Sequence, residues 1–190
     1  MQNGCGKPSP EAGRQTTVQK RKEIKRIGIL SDTHGYYDKR YAEFFSDCDE
    51  IWHAGDIGSL ELYNALCAIK PVRAVYGNID GQDLRRILSK SISFRIEEVN
   101  VFMTHIGGYP GRYAPGIAST LLKNETGLFV CGHSHILKVM YDKQLNLLHI
   151  NPGAAGREGF QQVRTMVKVE ISGNKFENLQ VMEMKLTAKD

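Results

Sequence analysis

The alternation of apolar and polar positions divides the chain into short segments separated by turn residues. Arg26 to Leu30 is a branched run without polar relief, the pattern of a central strand buried on both faces of a covered sheet. Tyr41, Phe44 and Phe45 fall at helical spacing within Asp38 to Ser46, and Glu50 to His53 returns to an apolar strand, completing a βαβ unit. Ser59 suits the N-cap of a helix over Leu60 to Ile69, and Val72 to Tyr76 reads as a third strand. Ile92, Phe94 and Ile96 then alternate with polar residues, and Val99 to Thr104 follows the tight Glu97-Glu98 connection, which predicts an antiparallel pair. Beyond a Gly/Pro-rich loop from Gly107 to Gly116, a helix is expected near Ile117 to Lys123 and a buried strand over Leu128 to Cys131. Leu137 to Tyr141, Leu145 to Ile150, Thr165 to Ile171 and Phe176 to Met184 read as strands linked by Asn and Gly turns.

Composition narrows the class. A chain of 190 residues with 41% apolar content is one ordinary domain with enough material for a core. Its formal charge of +4 is unevenly placed, because residues 1 to 26 carry seven Lys or Arg against two Glu and leave the remainder near −1. The domain from residue 26 to 190 therefore lacks the basic surplus of a duplex-binding protein, and nucleic acid is not an expected partner. Residues 1 to 25 are rich in Gly, Pro, Gln and Lys with hardly any large apolar side chain, so they are expected to form a disordered basic tail. With neither a secretory apolar region nor a membrane-spanning run in the sequence, a cytoplasmic protein is expected, with no membrane partner and with self-association left open. Cys5, Cys48, Cys67 and Cys131 show no paired spacing, and the last three read as buried, reduced thiols rather than ligands.

The chemistry gathers where the apolar runs stop. Asp32 and His34 follow the first strand at its carboxyl end, where open α/β sheets bind ligands, and Asp-x-His in an extended segment would turn both side chains to one side. Asp56 follows Gly55 after the second strand, and Asn78 follows Gly77 after the third, each glycine permitting a tight turn. His105 ends the strand from Val99, and Gly132-His133-Ser134-His135 ends the strand from Leu128. Two carboxylates, one amide and four imidazoles make a mixed N/O set suited to Mn, Fe, Zn, Co or Ni rather than to Ca or Mg. Seven ligands are too many for one ion and favour a pair sharing a carboxylate, with ions ~3.5–4 Å apart. Two divalent ions against two carboxylates leave a net charge of roughly +2, or about +1 with a bridging hydroxide, which attracts an anionic phosphate. His53 and His149 are expected to make structural hydrogen bonds rather than bind metal. Arg112 could meet a substrate phosphate as a planar fork, and Tyr109 and Tyr113 could stack on an aromatic leaving group.

Asp-x-His, Gly-Asp, Gly-Asn, His and Gly-His-x-His in this order resemble the motif set of the calcineurin-like metallophosphoesterases. The chain is similar to the small bacterial and archaeal phosphodiesterases of that superfamily, from about Lys25 to the C-terminus. The resemblance implies a four-layer α/β/β/α sandwich with two mixed sheets. It also implies one metal on Asp32, His34, Asp56 and His135, and a second on Asp56, Asn78, His105 and His133, with Asp56 bridging. The implied activity is metal-dependent phosphodiester hydrolysis by in-line attack of a bridging hydroxide on a small substrate. Asp56, Asn78 and His105 would act through the metals, Mn being the first expectation and Ni, Zn, Fe or Co the others. Two departures stand out: Ile79 occupies the position where many members carry a candidate general-acid His after the Asn, and His105 is followed by Ile106 before Gly107. Non-catalytic scaffolds of the same fold, such as the retromer subunit, and nucleases of the superfamily are the alternatives. Asn151-Pro152-Gly153 resembles a family loop beside the site but reads equally as a plain turn.

Overall fold

A computed structural model of the protein describes residues 23–186. In chain order its elements are β1 (Ile24–Leu30), α1 (Arg40–Phe44), β2 (Glu50–His53), α2 (Leu60–Ile69), β3 (Val72–Ala74), α3 (Gln82–Ile87), β4 (Ser91–Ile96) and β5 (Val99–Thr104). There follow β6 (Gly108–Tyr109), β7 (Arg112–Tyr113), α4 (Ile117–Lys123), β8 (Leu128–Val130), β9 (Leu137–Asp142), β10 (Leu147–Pro152), β11 (Val163–Ser172) and β12 (Lys175–Lys185). One sheet has the order β12-β11-β1-β2-β3 and the other β4-β5-β8-β10-β9, while β6 and β7 form a separate hairpin. Both sheets are mixed: β1, β2 and β3 run parallel with β11 and β12 antiparallel at one side, and β5, β8 and β10 run parallel between antiparallel β4 and β9.

Period-two alternation explains the layering. Ile27 and Ile29 of β1, Trp52 of β2, Val101 and Met103 of β5, Val130 of β8 and Val167 and Val169 of β11 all enter one buried cluster between the sheets. Their neighbours face outward: Leu30, Ile51 and Met166 pack with Tyr41, Leu62, Leu66 and Leu84 of the three helices on one side, and Phe102 and Phe129 pack with Leu121 of α4 on the other. The expected α/β/β/α sandwich is the observed one. Trp52 and Phe94 meet edge to face across the two sheets, with ring centroids 5.0 Å apart. Gly28 is demanded by packing, because a Cβ there would come within 2.4 Å of the Phe45 ring.

The helix over Leu60–Ile69 has the expected bounds, and Ser59 Oγ accepts from the backbone N–H of Leu62, 3.2 Å away. Elsewhere the boundaries move. Strand β1 begins at Ile24, paired with Ser172, so the end of the proposed tail is ordered into the sheet, and residues 1–22 lie outside the described residues. Strand β3 ends at Ala74: Val75 N still donates to His53 O, but Val75 bridges Ser89, whose carbonyl accepts from Tyr76 N. Helix α3 and the β6–β7 hairpin were not legible in the pattern, the helix being six residues long with only Leu84 buried. Cys48 and Cys131 are buried as expected, whereas Cys67 is exposed, since it lies beside Leu66 on the outer side of α2.

A buried ion pair ties the ends of the first sheet to the loop after β1. Arg164 on β11 is 1% exposed and its guanidinium meets Asp38 Oδ2, which Arg40 also contacts. Arg40, and then Arg164 against the opposing effect of burial, hold the Asp38 carboxyl well below the usual carboxylate range. Arg164→Met should cost stability at the lower end of ~3–5 kcal/mol, because Arg40 still covers Asp38. Denaturant unfolding checks this, and a loss below about 1 kcal/mol would show the pair to be dispensable.

Candidate metal centre

All the sequence-derived ligand candidates lie at the carboxyl ends of parallel strands: Asp32 and His34 after β1, Asp56 after β2, Asn78 after β3, His105 after β5, and His133 and His135 after β8. They fall into two groups. Asp32, His34 and His135 present ligand atoms all within 4.8 Å of one another, and so do Asp56, His105 and His133. The groups adjoin, since His105 Nε2 is 3.2 Å from Asp56 Oδ2 and 3.9 Å from Asp32 Oδ1. Asn78 joins the second through Oδ1, 3.0 Å from His105 Nε2.

The expectation of an extended Asp-x-His segment is corrected. Asp32 and His34 adopt φ of 52° and 49°, and Asp56, His133 and His135 are left-handed as well, at 53°, 71° and 58°. Non-glycine residues in this region cost of order 1–3 kcal/mol each and persist where their surroundings enforce them. Here the enforcement is a lattice of backbone bonds between loops: Asp32 donates to Gly55 O, His34 to Asp56 O, Gly35 to Ile57 O, Gly132 to His105 O and Gly156 to Asp32 O. The reading of Gly77 as a turn residue is corrected too. A Cβ there would lie 2.0 Å from Asp56 Oδ1, so close approach is the reason for glycine.

The hydrogen bonds fix which ring nitrogens face inward. His105 Nδ1 lies 2.8 Å from the Ala54 carbonyl, which accepts only, so Nδ1 carries a proton. In a neutral ring Nε2 is then a lone pair, yet it faces Asp56 Oδ2, Asn78 Oδ1 and Asp32 Oδ1, all acceptors. His135 repeats the pattern: Nδ1 is 2.9 Å from Gln161 Oε1, and Nε2 faces Asp32 Oδ1 at 3.3 Å and His34 Nε2 at 3.4 Å. Gln161 is held in that sense because its own NH₂ donates to the Gly156 and Glu158 carbonyls. Asp32 is fully buried, and among the described residues its Oδ1 finds no hydrogen-bond donor, while Oδ2 accepts from Ser31 Oγ and His133 N. Acceptors aimed at acceptors are stable only around positive charge, and imidazoles oriented by a distal carbonyl oxygen are the usual arrangement of metal-binding histidine. The donor set fits divalent cations.

Supporting residues complete the centre. Asp80 Oδ1 and Oδ2 accept from Gly58 N and Gly77 N and so pin the loops that carry Asp56 and Asn78. Asn151 donates to Gly132 O and Ser134 Oγ, while its Oδ1 accepts from Gly153 N, so Asn151-Pro152-Gly153 anchors the loop bearing His133 and is more than a plain turn. His53 behaves as expected: Nδ1 accepts from Gly55 N and Nε2 is 2.8 Å from Thr33 Oγ1. His149 does not, for it is fully buried and among the described residues neither ring nitrogen has a partner. Tyr109, Arg112 and Tyr113 sit on the β6–β7 hairpin beside a cavity of about 340 Å³ that also reaches His133. Tyr113 is partly committed elsewhere, its hydroxyl donating to Asp142 at 2.6 Å.

A four-layer sandwich with two His/Asp clusters at the shared strand-end edge defines a divalent-metal protein of the metallophosphoesterase type. The chain belongs to the calcineurin-like phosphoesterase superfamily, whose domain model matches residues 26–174. A probable metallophosphoesterase of Methanocaldococcus jannaschii is 31% identical over 136 residues, covering 67% of this chain and 67% of that relative. One from Methanothermobacter thermautotrophicus is 28% identical over 135 residues, covering 67% and 76%. Among solved structures, a Vps29 variant from Entamoeba histolytica superposes with a TM-score of 0.67 at 14% identity, over 85% of this chain and 99% of that one. A predicted phosphoesterase from Streptococcus pneumoniae gives 0.61 at 18%, over 86% and 90%. At such identities these two likenesses show the fold alone.

The buried imidazoles give the metal-free protein a defined pH response. Burial holds His53 and His149 down to about 4 from 6.5, so below 6.5 the unfolded chain takes up protons that these rings refuse, and stability falls with pH. For His105 burial lowers the pKa but Asp56 and Asp32 more than offset it, and for His135 the adjacent Asp32 carboxylate dominates, so both are raised above 6.5. Their contribution is complete below 6.5 and is lost as pH rises through the folded values. Chelator-treated protein should therefore have its highest Tm near pH 6.5, and a bound divalent ion should remove the alkaline decline. A Tm that climbs steadily from that pH upward without metal would contradict the arrangement.

Proposed function

We propose that the protein is a dinuclear metal-dependent phosphodiesterase. The observation carrying this reading is the pair of adjoining donor clusters in which imidazole lone pairs are aimed at carboxylate oxygens. Asp32, His34 and His135 would hold one ion and Asn78, His105 and His133 the other, with Asp56 shared. Two divalent ions held there would supply an activated water for in-line attack and neutralise charge on the phosphoryl oxygens. The protein's own contribution is electrostatic and positional. With only Asp32 and Asp56 as anionic ligands the site keeps a net positive charge that draws in an anionic ester, and the distal carbonyl bonds of His105 and His135 hold both rings in place before the substrate arrives.

Ile79 supports a diester over a monoester. Its side chain is half exposed and its backbone N–H donates to Asp56 Oδ1 at 3.0 Å, so it sits beside the proposed bridging carboxylate with no proton to give and no charge for a second anionic oxygen. A histidine engineered there would find both oxygens of Asp80 already engaged by Gly58 and Gly77. The scaffold alternative rests on likeness of fold to Vps29, whereas the complete donor set favours catalysis. Mn is the proposed metal, with Ni, Zn, Fe or Co as alternatives, and a small phosphodiester the proposed substrate.

Asp56→Asn should lower turnover roughly a hundred-fold or more, and more than Asp32→Asn, since several kcal/mol of charge stabilisation pass through a shared ligand. Elemental analysis beside kinetics checks this; two ions per chain and full turnover in Asp56→Asn would contradict the shared role. Without a general acid, which commonly contributes about 10²–10⁴-fold, the wild type should cleave nitrophenyl diesters far faster than alkyl diesters. A flat dependence of kcat/KM on leaving-group pKa would show that some other group delivers the proton.

A further inference from the structure

A second cavity, of about 260 Å³, opens beside the metal centre at Asn78 and His105 and is bordered further by Tyr76, Arg85, Lys90 and Thr104. No Asp or Glu lines it, whereas two cationic side chains do. Arg85, in the last turn of α3, is held as a fixed plane. Its Nε donates to Asp80 O at 2.6 Å, its Nη2 to Gly77 O at 3.0 Å and Asn78 O at 3.1 Å, and the guanidinium carbon lies 4.5 Å from the Tyr76 ring centroid. Lys90 directly precedes β4, and its carbonyl accepts from Thr104 Oγ1 at 3.2 Å, which ties it to the end of β5. Every partner of Arg85 is neutral, its Nη1 has none among the described residues, and no carboxylate there pairs with either cation. Two uncompensated positive charges therefore border a cavity that adjoins the proposed ions.

Charge and volume together define the ligand. An apolar arm would cover Tyr76 and Ile106 but strip water from both cations without replacing it. A lone carboxylate, or an internal phosphate of a polynucleotide, brings one negative charge against two. A phosphate monoester carries about −1.5 to −2 at neutral pH and has three acceptor oxygens, enough for a guanidinium edge and an ammonium at once. At about 260 Å³ the cavity falls below the roughly 300 Å³ where small-molecule pockets begin, so it has room for one group and a short link rather than a whole ligand. The rest of that ligand must lie outside, and the adjoining space at Asn78 and His105 is the metal centre.

We propose that this cavity binds a second phosphate, carried on one arm of the diester substrate, and that Lys90 and Arg85 recognise it. This rests on the phosphodiesterase reading, because the metal centre would hold the scissile phosphate to which that arm is attached. Both side chains bind the arm and take no part in bond breaking. Arg85 also braces the loop that carries Asn78, so Lys90 is the position where charge can be removed without touching a metal ligand's support.

The test uses ethyl and butyl p-nitrophenyl phosphates, each with and without a phosphate on the far carbon of the alkyl arm, on the Mn-loaded full chain. All release p-nitrophenolate and differ only in the retained arm. The wild type should favour a phosphorylated ester over its plain counterpart in kcat/KM, most strongly at low ionic strength. Lys90→Met should cut that ratio roughly ten-fold, and Lys90→Arg should keep most of it. Independently, inorganic phosphate titrated into metal-free wild type should shift the side-chain NMR signals of Lys90 and of the Arg85 Nε–H group, a readout that needs neither turnover nor a folded variant. Equal kcat/KM for plain and phosphorylated esters at both arm lengths, with those signals unmoved, would overturn the subsite and leave the phosphodiesterase reading intact. A preference undiminished in Lys90→Met would overturn it as well. Turnover of none of the esters, with Lys90 and Arg85 signals that still respond to phosphate, would overturn the phosphodiesterase reading and support the anion site.

Discussion

Everything at the functional edge of this protein depends on one electrostatic conflict. His105 and His135 are each locked by a distal carbonyl oxygen so that an imidazole lone pair points at buried carboxylate oxygens, and Asp32 Oδ1 is sealed from water with no donor among the described residues. Uncompensated, such a cluster is costly in a low-dielectric setting; protons resolve it in part, and divalent cations resolve it fully. The left-handed backbone at Asp32, His34, Asp56, His133 and His135 follows from the same demand, because loops from both sheets must bring their side chains onto one point.

The fold makes that convergence achievable. Parallel β1, β2 and β3 end at the same edge as parallel β5, β8 and β10, and backbone bonds from Gly132 to His105 and from Gly156 to Asp32 fasten loops of the two sheets together. Stability is supplied elsewhere, by the apolar layer between the sheets and by the buried Arg164–Asp38 pair. This separation lets the site hold strained and repelling groups without unfolding the domain.

Much of this was legible in the sequence, and the parts that were not share a cause. Period-two alternation exposed β4 and β5, and the apolar run ending in Asp32 exposed the central strand, because burial imposes those patterns directly. All seven ligand candidates could be named since each sits just past such a run. Their backbone could not be inferred: the left-handed turns at Asp32 and His34 are imposed by loops distant in sequence. Gln161, Asp80 and Arg164 escaped for a related reason, as each has a decisive partner far away in sequence: His135, Gly58 and Asp38, 26, 22 and 126 positions off. His149 was misread because a strand histidine in an apolar run looks the same whether or not its ring nitrogens find partners.

Calorimetric titration of Mn into the metal-free protein, repeated at one pH near 7 in buffers of different ionisation heat, shows whether the two donor clusters take up cations and what protons they exchange. About two ions per chain should bind, with net release of protons to the buffer, because metal requires deprotonated rings and the pKa values of His105 and His135 are raised. Binding of a single ion without proton release, or no binding by a folded protein, would contradict the two-metal reading.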